Sequence, residues 1–347
     1  MNSTISKTTE KTTPKLGITV GDPAGVGPEL CGKIAALDEL WEFCSPVFLG
    51  DPAALKAHHQ SIPDSVALLP LSEAKTLTDL PLGPLFVDFQ SAGIDGLAIG
   101  TASDVGGAAS FRYIDTAIEW ARAGKIDGIV TGPINKLALH KAGHKYPGHT
   151  EILAEKTSTD DFCMMQYSEE LTCTFVTTHV GYAEVPGLLN FDRILKVIQL
   201  SVDALRSVGV MNPKLVACGL NPHAGEEGLF GNREEERIII PALDAARAQG
   251  IDIEGPFPPD TCFIPSRRQT TDCFICMYHD QGHIPLKALV FDRAVNVTLG
   301  LPIVRTSVDH GTAYDIVGKN IADPSSLIEA IKLAAKLARN RAANKLG

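Results

Sequence analysis

At 347 residues the chain can bury a sizeable core, and it most naturally forms two domains or one bilobed unit. Its 41 acidic against 31 basic side chains give a net charge of -10 and a pI near 5.5, which argues against nonspecific binding to nucleic acid or anionic membranes but allows a local basic pocket. No apolar run is long enough to span a bilayer, the start lacks the apolar core of a secretory signal, and the eight cysteines have no framework spacing; reduced thiols and a cytoplasmic location are therefore expected.

Met1–Lys15 reads as a disordered polar tail, and Leu16–Val20 as a first strand. Gly21-Asp-Pro-Ala-Gly-Val-Gly27-Pro28-Glu29 then leads into a helix, with Pro28 and Glu29 as start signals. Its glycines either let an anion approach the helix N-terminus or simply form a tight turn, and the segment matches neither GxGxxG nor Walker A. Pro46–Leu49 and Pro84–Phe89 are further strand candidates, separated by a polar region in which His58 and His59 read as surface residues. Asp104–Gly124 has apolar residues at helical spacing, and Asp127–Thr131 is a strand. Farther on, His149 and Thr150 stand at the mouth of a helix, where the dipole favours anions; they form a candidate phosphate or carboxylate clamp, unless Thr150 only caps the helix.

Three apolar runs end in a histidine: Leu171–Thr178 before His179, Lys214–Leu220 before Asn221-Pro222-His223, and Cys273–Tyr278 before His279. Neutral imidazoles converging from separate strand exits suit a divalent transition metal, although a histidine at a strand end also serves structurally. Phe191–Val208 and Arg233–Gly250 carry helical periodicity, so strands and helices alternate and predict an α/β/α sandwich around a largely parallel sheet. Asp260, in a proline-rich loop, is either an acid/base candidate or a turn former. Cys273 and Cys276 would face opposite sides of a strand, against a zinc or redox site. Lys287, Asn296 and Arg305, set between apolar stretches that could hold them on rigid edges, suit an anion if they are not solvated surface charges. Ser325–Asn340 reads as an amphipathic helix.

The motifs GDPAGVGPE, TGPINK, YPGHTE, TTH, NPHAGE, PPDT, YHDQGHIPLK and VNVTLGLPIVRTSVDHGTA run in one order along the chain. In this the sequence resembles the 4-hydroxythreonine-4-phosphate dehydrogenase family of pyridoxal-phosphate biosynthesis. The resemblance implies an α/β fold of two α/β/α domains like the isopropylmalate and isocitrate dehydrogenases, with the cleft between domains. Residues 16–140 with 300–347 would form the domain carrying the cofactor loop, and residues 141–299 the one with the histidines and the dimer interface. It further implies a homodimer with a shared active site, in which His179, His223 and His279 bind a divalent metal (Zn, Co, Mg or Mn), His279 reaching it from the neighbouring chain. His149, Thr150, Lys287, Asn296 and Arg305 would hold a phosphorylated hydroxy acid. The stretch 310–324 is similar to the nicotinamide cofactor loop of isopropylmalate dehydrogenases, making Gly311, Thr312, Asp315 and Asp323 the implied contacts of NAD or NADP. Lys287, Asp260 or His149 would move the proton.

The implied reaction is oxidation with decarboxylation of 4-phosphohydroxy-L-threonine to 3-amino-2-oxopropyl phosphate; dehydrogenation of 4-phospho-D-threonate or 4-phospho-D-erythronate is the alternative within the fold. Val180-Gly-Tyr-Ala-Glu-Val185 replaces a Leu-Pro-Leu type segment, and the loop from Asp315 is slightly short. Both departures bear on substrate identity. From other classes, a metal-dependent phosphate-ester hydrolase or lyase would use the same histidines without a dinucleotide, and a silent ligand-binding protein would use them for the fold alone.

Overall fold

The structure is a computed structural model, and it describes residues 13–290 and 293–346. The expected tail lies outside the described residues as far as residue 12, but Lys15 already opens the first strand. Among the described residues no helix is long and apolar enough to cross a membrane.

Twelve strands among the described residues join in one sheet: β1 (Lys15–Thr19), β2 (Ser45–Gly50), β3 (Ala67–Pro70), β4 (Leu85–Asp88), β5 (Gly128–Thr131), β6 (Cys163–Tyr167), β7 (Cys173–Phe175), β8 (Lys214–Cys218), β9 (Asp252–Phe257), β10 (Cys273–Cys276), β11 (Val295–Leu299) and β12 (Arg305–Ser307). Their order is β3-β4-β2-β1-β5-β12-β11-β6-β7-β10-β8-β9. The six strands from β3 to β12 are parallel, the next three junctions are antiparallel, and β7-β10-β8-β9 are parallel again. The α/β expectation therefore holds, with a patch of reversed pairing at the centre of the sheet. Central strands such as β2, β5 and β10 are buried along their whole length, which is why they read as unbroken apolar runs rather than alternating ones.

The Asp104–Arg122 helix shows how sequence makes the layers. Ser103 caps it by accepting from Gly106 N at 3.0 Å, and Tyr113, Ile114, Ala117 and Ile118 bury one stripe against the core. Two segments differ from expectation. The residues after β10 form a helix, His279–Val290, whose Gly282 and Pro285 hide its periodicity, so His279 opens a helix and Lys287 stands on it rather than on a strand edge. His58 is not a surface residue: it is 1% exposed, its Nε2 donates to the Pro23 carbonyl at 2.8 Å, and its Nδ1 is buried without a partner. All eight cysteines are buried and unpaired, as expected of reduced thiols.

Two stability outcomes follow. In Gly107→Ala the helix-propensity gain of about 1 kcal/mol is outweighed, because the new Cβ would collide with the Ala138 carbonyl and push the Lys136–Lys141 helix away. Thermal unfolding should show a drop in Tm of a few degrees; a rise would refute the packing. Burial holds the His58 imidazole below its usual pKa, so its stabilising contribution is complete above about pH 6.5 and is lost as pH falls below that. His58→Gln, which keeps a donor for Pro23 but takes up no proton, should flatten the acid side of a Tm-against-pH profile.

Candidate active site

A cavity of about 420 Å³ opens where the reversed strands meet, and β5, β6, β11 and β12 all contribute to its wall. Its most constrained residue is Arg305, the first of β12 and 3% exposed. The guanidinium donates through Nη1 to Asn296 Oδ1 and Thr298 Oγ1, each at 3.0 Å, and through Nη2 to Thr131 Oγ1 at 2.8 Å. Every one of these partners is neutral. Among the described residues no carboxylate lies within ion-pair distance of Arg305, and its Nε is buried with no acceptor. Burial pushes the group down to about 9, opposed only by the more distant charge of Glu151. A buried cation left in that state fits an anion that arrives from outside.

His149 stands beside it as the first residue of the His149–Thr157 helix. Burial, and secondly the Arg305 charge, hold its ring far below the usual imidazole range, and its Nε2 is buried without a partner. The helix N-cap is Gly148, and no side chain caps the helix; Thr150 is therefore not a cap, and it lines the cavity. Two unpartnered nitrogens, one on β12 and one in the first turn of a helix, make this end of the cavity a candidate anion site.

The other end is histidine-rich. The His179 and His279 rings have centroids 5.7 Å apart, a spacing that lets both imidazoles reach one ion. His279 Nδ1 bonds Asp280 Oδ1 at 2.6 Å, and Tyr182 fixes that carboxylate by donating to Oδ2 at 2.5 Å, so Nε2 is the nitrogen left for a ligand. Desolvation, then Lys136, lowers the His179 pKa and keeps that ring neutral. His223 is not brought to this pair: it lies exposed in the Pro222–Gly228 turn, its ring 5.9 Å from that of Phe230, outside the cavity lining. Among the described residues no group of three ligand side chains is assembled within one chain.

Lys287 pairs with Asp309 on the cavity wall, and Gln166 Nε2 donates to the same carboxylate at 2.7 Å. Gln166, His283 and Asp309 were not singled out in the sequence. A lone Gln inside the apolar run CMMQY of β6 was the available signal for the first. The i, i+4 spacing of His279 and His283 would have shown the second had the helix been recognised.

The segment 310–324 rests on the glycine-rich segment at the start of the chain. Gly21 has φ 82, which suits glycine, and from there Asp22 accepts from Ala24 N at 2.9 Å and from Tyr314 Oη at 2.5 Å. Val26 N donates to the Thr312 carbonyl at 3.0 Å, and Glu29 Oε1 accepts from Ala322 N at 2.8 Å. The start of the Gly27–Ala35 helix is thus covered by protein, and of the two readings of these glycines the structure gives the turn, used as a seat for the 310–324 segment. Gly311 lines the main cavity, and Asp323 lines an adjoining one of about 220 Å³ that shares Lys287, Asp309 and His310 with it. Thr312 is buried within the segment, and Asp315 is exposed and lines neither cavity. Asp260 is exposed in the Pro259–Cys262 turn and does not line either cavity.

Comparison with known proteins agrees along the chain. The family described as "Pyridoxal phosphate biosynthetic protein PdxA" matches residues 42–334. A relative from Oceanobacillus iheyensis, provisionally named a D-threonate 4-phosphate dehydrogenase, is 48% identical over 94% of this chain and 98% of its own. The D-threonate 4-phosphate dehydrogenase of Cupriavidus necator is 44% identical over 95% of this chain and 98% of its own. A crystal structure of 4-hydroxythreonine-4-phosphate dehydrogenase from Klebsiella pneumoniae superposes with a TM-score of 0.81 at 40% identity, covering 94% of this chain and 99% of that one. The chain belongs to the PdxA family of dehydrogenases.

Proposed function

We propose that the chain oxidises and decarboxylates a four-carbon hydroxy acid phosphorylated at carbon 4, with 4-phospho-D-threonate as its substrate. The observation that carries this reading is the buried, carboxylate-free Arg305 beside His149 in the same cavity as His179 and His279. The names of the two curated relatives favour the hydroxy acid over 4-phosphohydroxy-L-threonine. In this reaction carbon 3 would give up a hydride, which a bound NAD or NADP would accept, and its hydroxyl would give up a proton to the site. The resulting β-keto acid loses carbon dioxide and takes a proton at carbon 2, which leaves a three-carbon keto phosphate.

Arg305, His149, Thr150, Asn296 and Lys287 bind the phosphate and fix the rest of the molecule, so that remote binding energy becomes orientation at carbon 3. Lys287, held by Asp309, is placed to move the proton; exposed Asp260 is not. The donor set fits a divalent ion, Zn, Co, Mg or Mn, which His179 and His279 of one chain would hold, with His223 supplied by a second copy as the third ligand in place of the His279 that the resemblance implied would cross over. When bound, such an ion lowers the pKa of the alcohol and stabilises the charge that develops on decarboxylation, while the dinucleotide takes the hydride. Gly311 and Asp323, which line the two adjoining cavities, would contact the dinucleotide along the 310–324 segment.

A homodimer that shares this cleft is supported by apolar side chains left exposed near the histidines, including Tyr182 at 66% and Ile284 at 67%. Residues 16–140 with 300–347, and residues 141–299, then form two α/β/α units flanking the cavity. Eight buried unpaired thiols suit the reducing cytoplasm.

Inorganic phosphate at 100 times its Kd should stabilise the protein by about 2.7 kcal/mol, read as a rise in Tm. Arg305→Met should lose that increment yet stay within a few degrees of the wild-type Tm without phosphate, because an uncompensated buried charge is removed. An undiminished increment would remove Arg305 from the anion site. Replacing His279 with Ala should abolish metal-dependent formation of NADH from 4-phospho-D-threonate while unfolding remains cooperative. Phosphate release without reduced cofactor would point to a hydrolase instead.

A further inference from the structure

Gln166 is 1% exposed, lies directly opposite Asn296 in the β6–β11 ladder, and lines the main cavity. One neighbour, Asn296, holds Arg305; another, His283, stacks on His279 with centroids 3.8 Å apart. Gln166 therefore connects the anion end to the histidine end.

The orientation of its amide is dictated by what surrounds it. Nε2 donates to Asp309 Oδ1 at 2.7 Å and lies 3.4 Å from His283 Nε2. Asp309 is a carboxylate paired with Lys287, so it can only accept. The other ring nitrogen of His283, Nδ1, meets the His279 carbonyl at 2.9 Å and must carry the hydrogen, which leaves a lone pair on Nε2. Turning the amide round would aim its oxygen at two acceptors. Oε1 is thereby fixed on the remaining side, buried and with no hydrogen-bond partner. A buried acceptor in that state is satisfied when a ligand brings a donor.

We propose that Gln166 Oε1 accepts a hydrogen bond from the carbon-2 hydroxyl of the substrate and thereby selects a 2-hydroxy acid over a 2-ammonium acid. This rests on the function proposed above, in which the carbon-2 substituent stays in place while carbon 3 is oxidised and carbon 1 leaves. A hydroxyl supplies one donor and needs no counter-charge. An ammonium would add a cation to a wall already carrying Lys136, Lys287 and Arg305 against two carboxylates, Glu151 and Asp309, the second of which is paired with Lys287. An amide oxygen offers that ammonium a dipole and no charge.

The test uses the full-length enzyme with a divalent metal and NAD or NADP, and measures kcat/KM for three substrates: 4-phospho-D-threonate, its analogue lacking the carbon-2 hydroxyl, and 4-phosphohydroxy-L-threonine. Wild type should favour the first over both others by about tenfold or more. In Gln166→Leu, and in the flexible Gln166→Met as a second variant, the preference over the analogue lacking the hydroxyl should shrink to within about threefold, and the preference over the ammonium substrate should fall to what the cationic wall alone supplies. Loss of the bond to Asp309 is common to all three substrates and cancels in the ratios. Unchanged ratios in a variant that melts cooperatively, or a wild type that favours the ammonium substrate, would overturn the proposal. NADH from none of the three would instead defeat the proposed function, and this inference with it.

Discussion

A single guanidinium at the centre of the sheet sets the terms for the rest of the molecule. Arg305 reaches across to β5 and β11 from the short strand between them, and its three neutral partners hold it in position without cancelling its charge. A buried charge of this kind is tolerable only where the surrounding structure fixes it and a counter-ion can arrive. The same charge helps keep His149 neutral, so that ring meets an incoming anion as a hydrogen-bonding group and not as a second cation. The cavity lies where it does because the reversal of strand direction at β11 and β6 brings side chains from both halves of the sheet to one spot.

Around that charge the chain divides its labour. One end of the cavity carries the buried Arg305 and His149, the other presents His179 and His279, the latter held by Asp280, which Tyr182 fixes in turn, and the 310–324 segment contributes Gly311 to the lining. That segment is anchored twice to the start of the chain, by Asp22 and Val26 near residues 312–314 and by Glu29 near residue 322. The glycine-rich GDPAGVGPE stretch thus acts at one remove, by placing another segment. Glycines that would let an anion approach and glycines that form such a turn meet the same physical need, which is for backbones to come close.

Much of this was legible in the residues. Apolar runs with abrupt polar exits locate β1, β5, β7, β8 and β10, and the crowding of Lys287, Asn296 and Arg305 in the sequence marks one cavity wall. What escaped notice did so for physical reasons. Gly282 and Pro285 disguised a helix, and with it the turn-by-turn relation of His279 and His283. Cys163-Met-Met-Gln-Tyr167 lacks the β-branched residues that announce a strand, so Gln166 had no context. His58 is buried because the Pro23 carbonyl receives its ring, a contact across 35 positions that no local pattern encodes. His223 lies against Phe230 in the Pro222–Gly228 segment, away from the other two histidines, and a strand exit read from local sequence does not reveal that.

The ladder between β11 and β12 consists of only two residue pairs, Asn296 with Ser307 and Val297 with Thr306. On one side of this seam lies a parallel block of six strands, and on the other β11, β6 and β7 pair antiparallel before the parallel run resumes, so a rocking movement of one half against the other would meet little ladder here. The side-chain bonds from Arg305 to Asn296 and Thr298 cross the same seam. An anion gripped by Arg305 would therefore act as a rivet through one of the two shortest ladders of the sheet, tying its capture to the stiffness of the molecule as a whole.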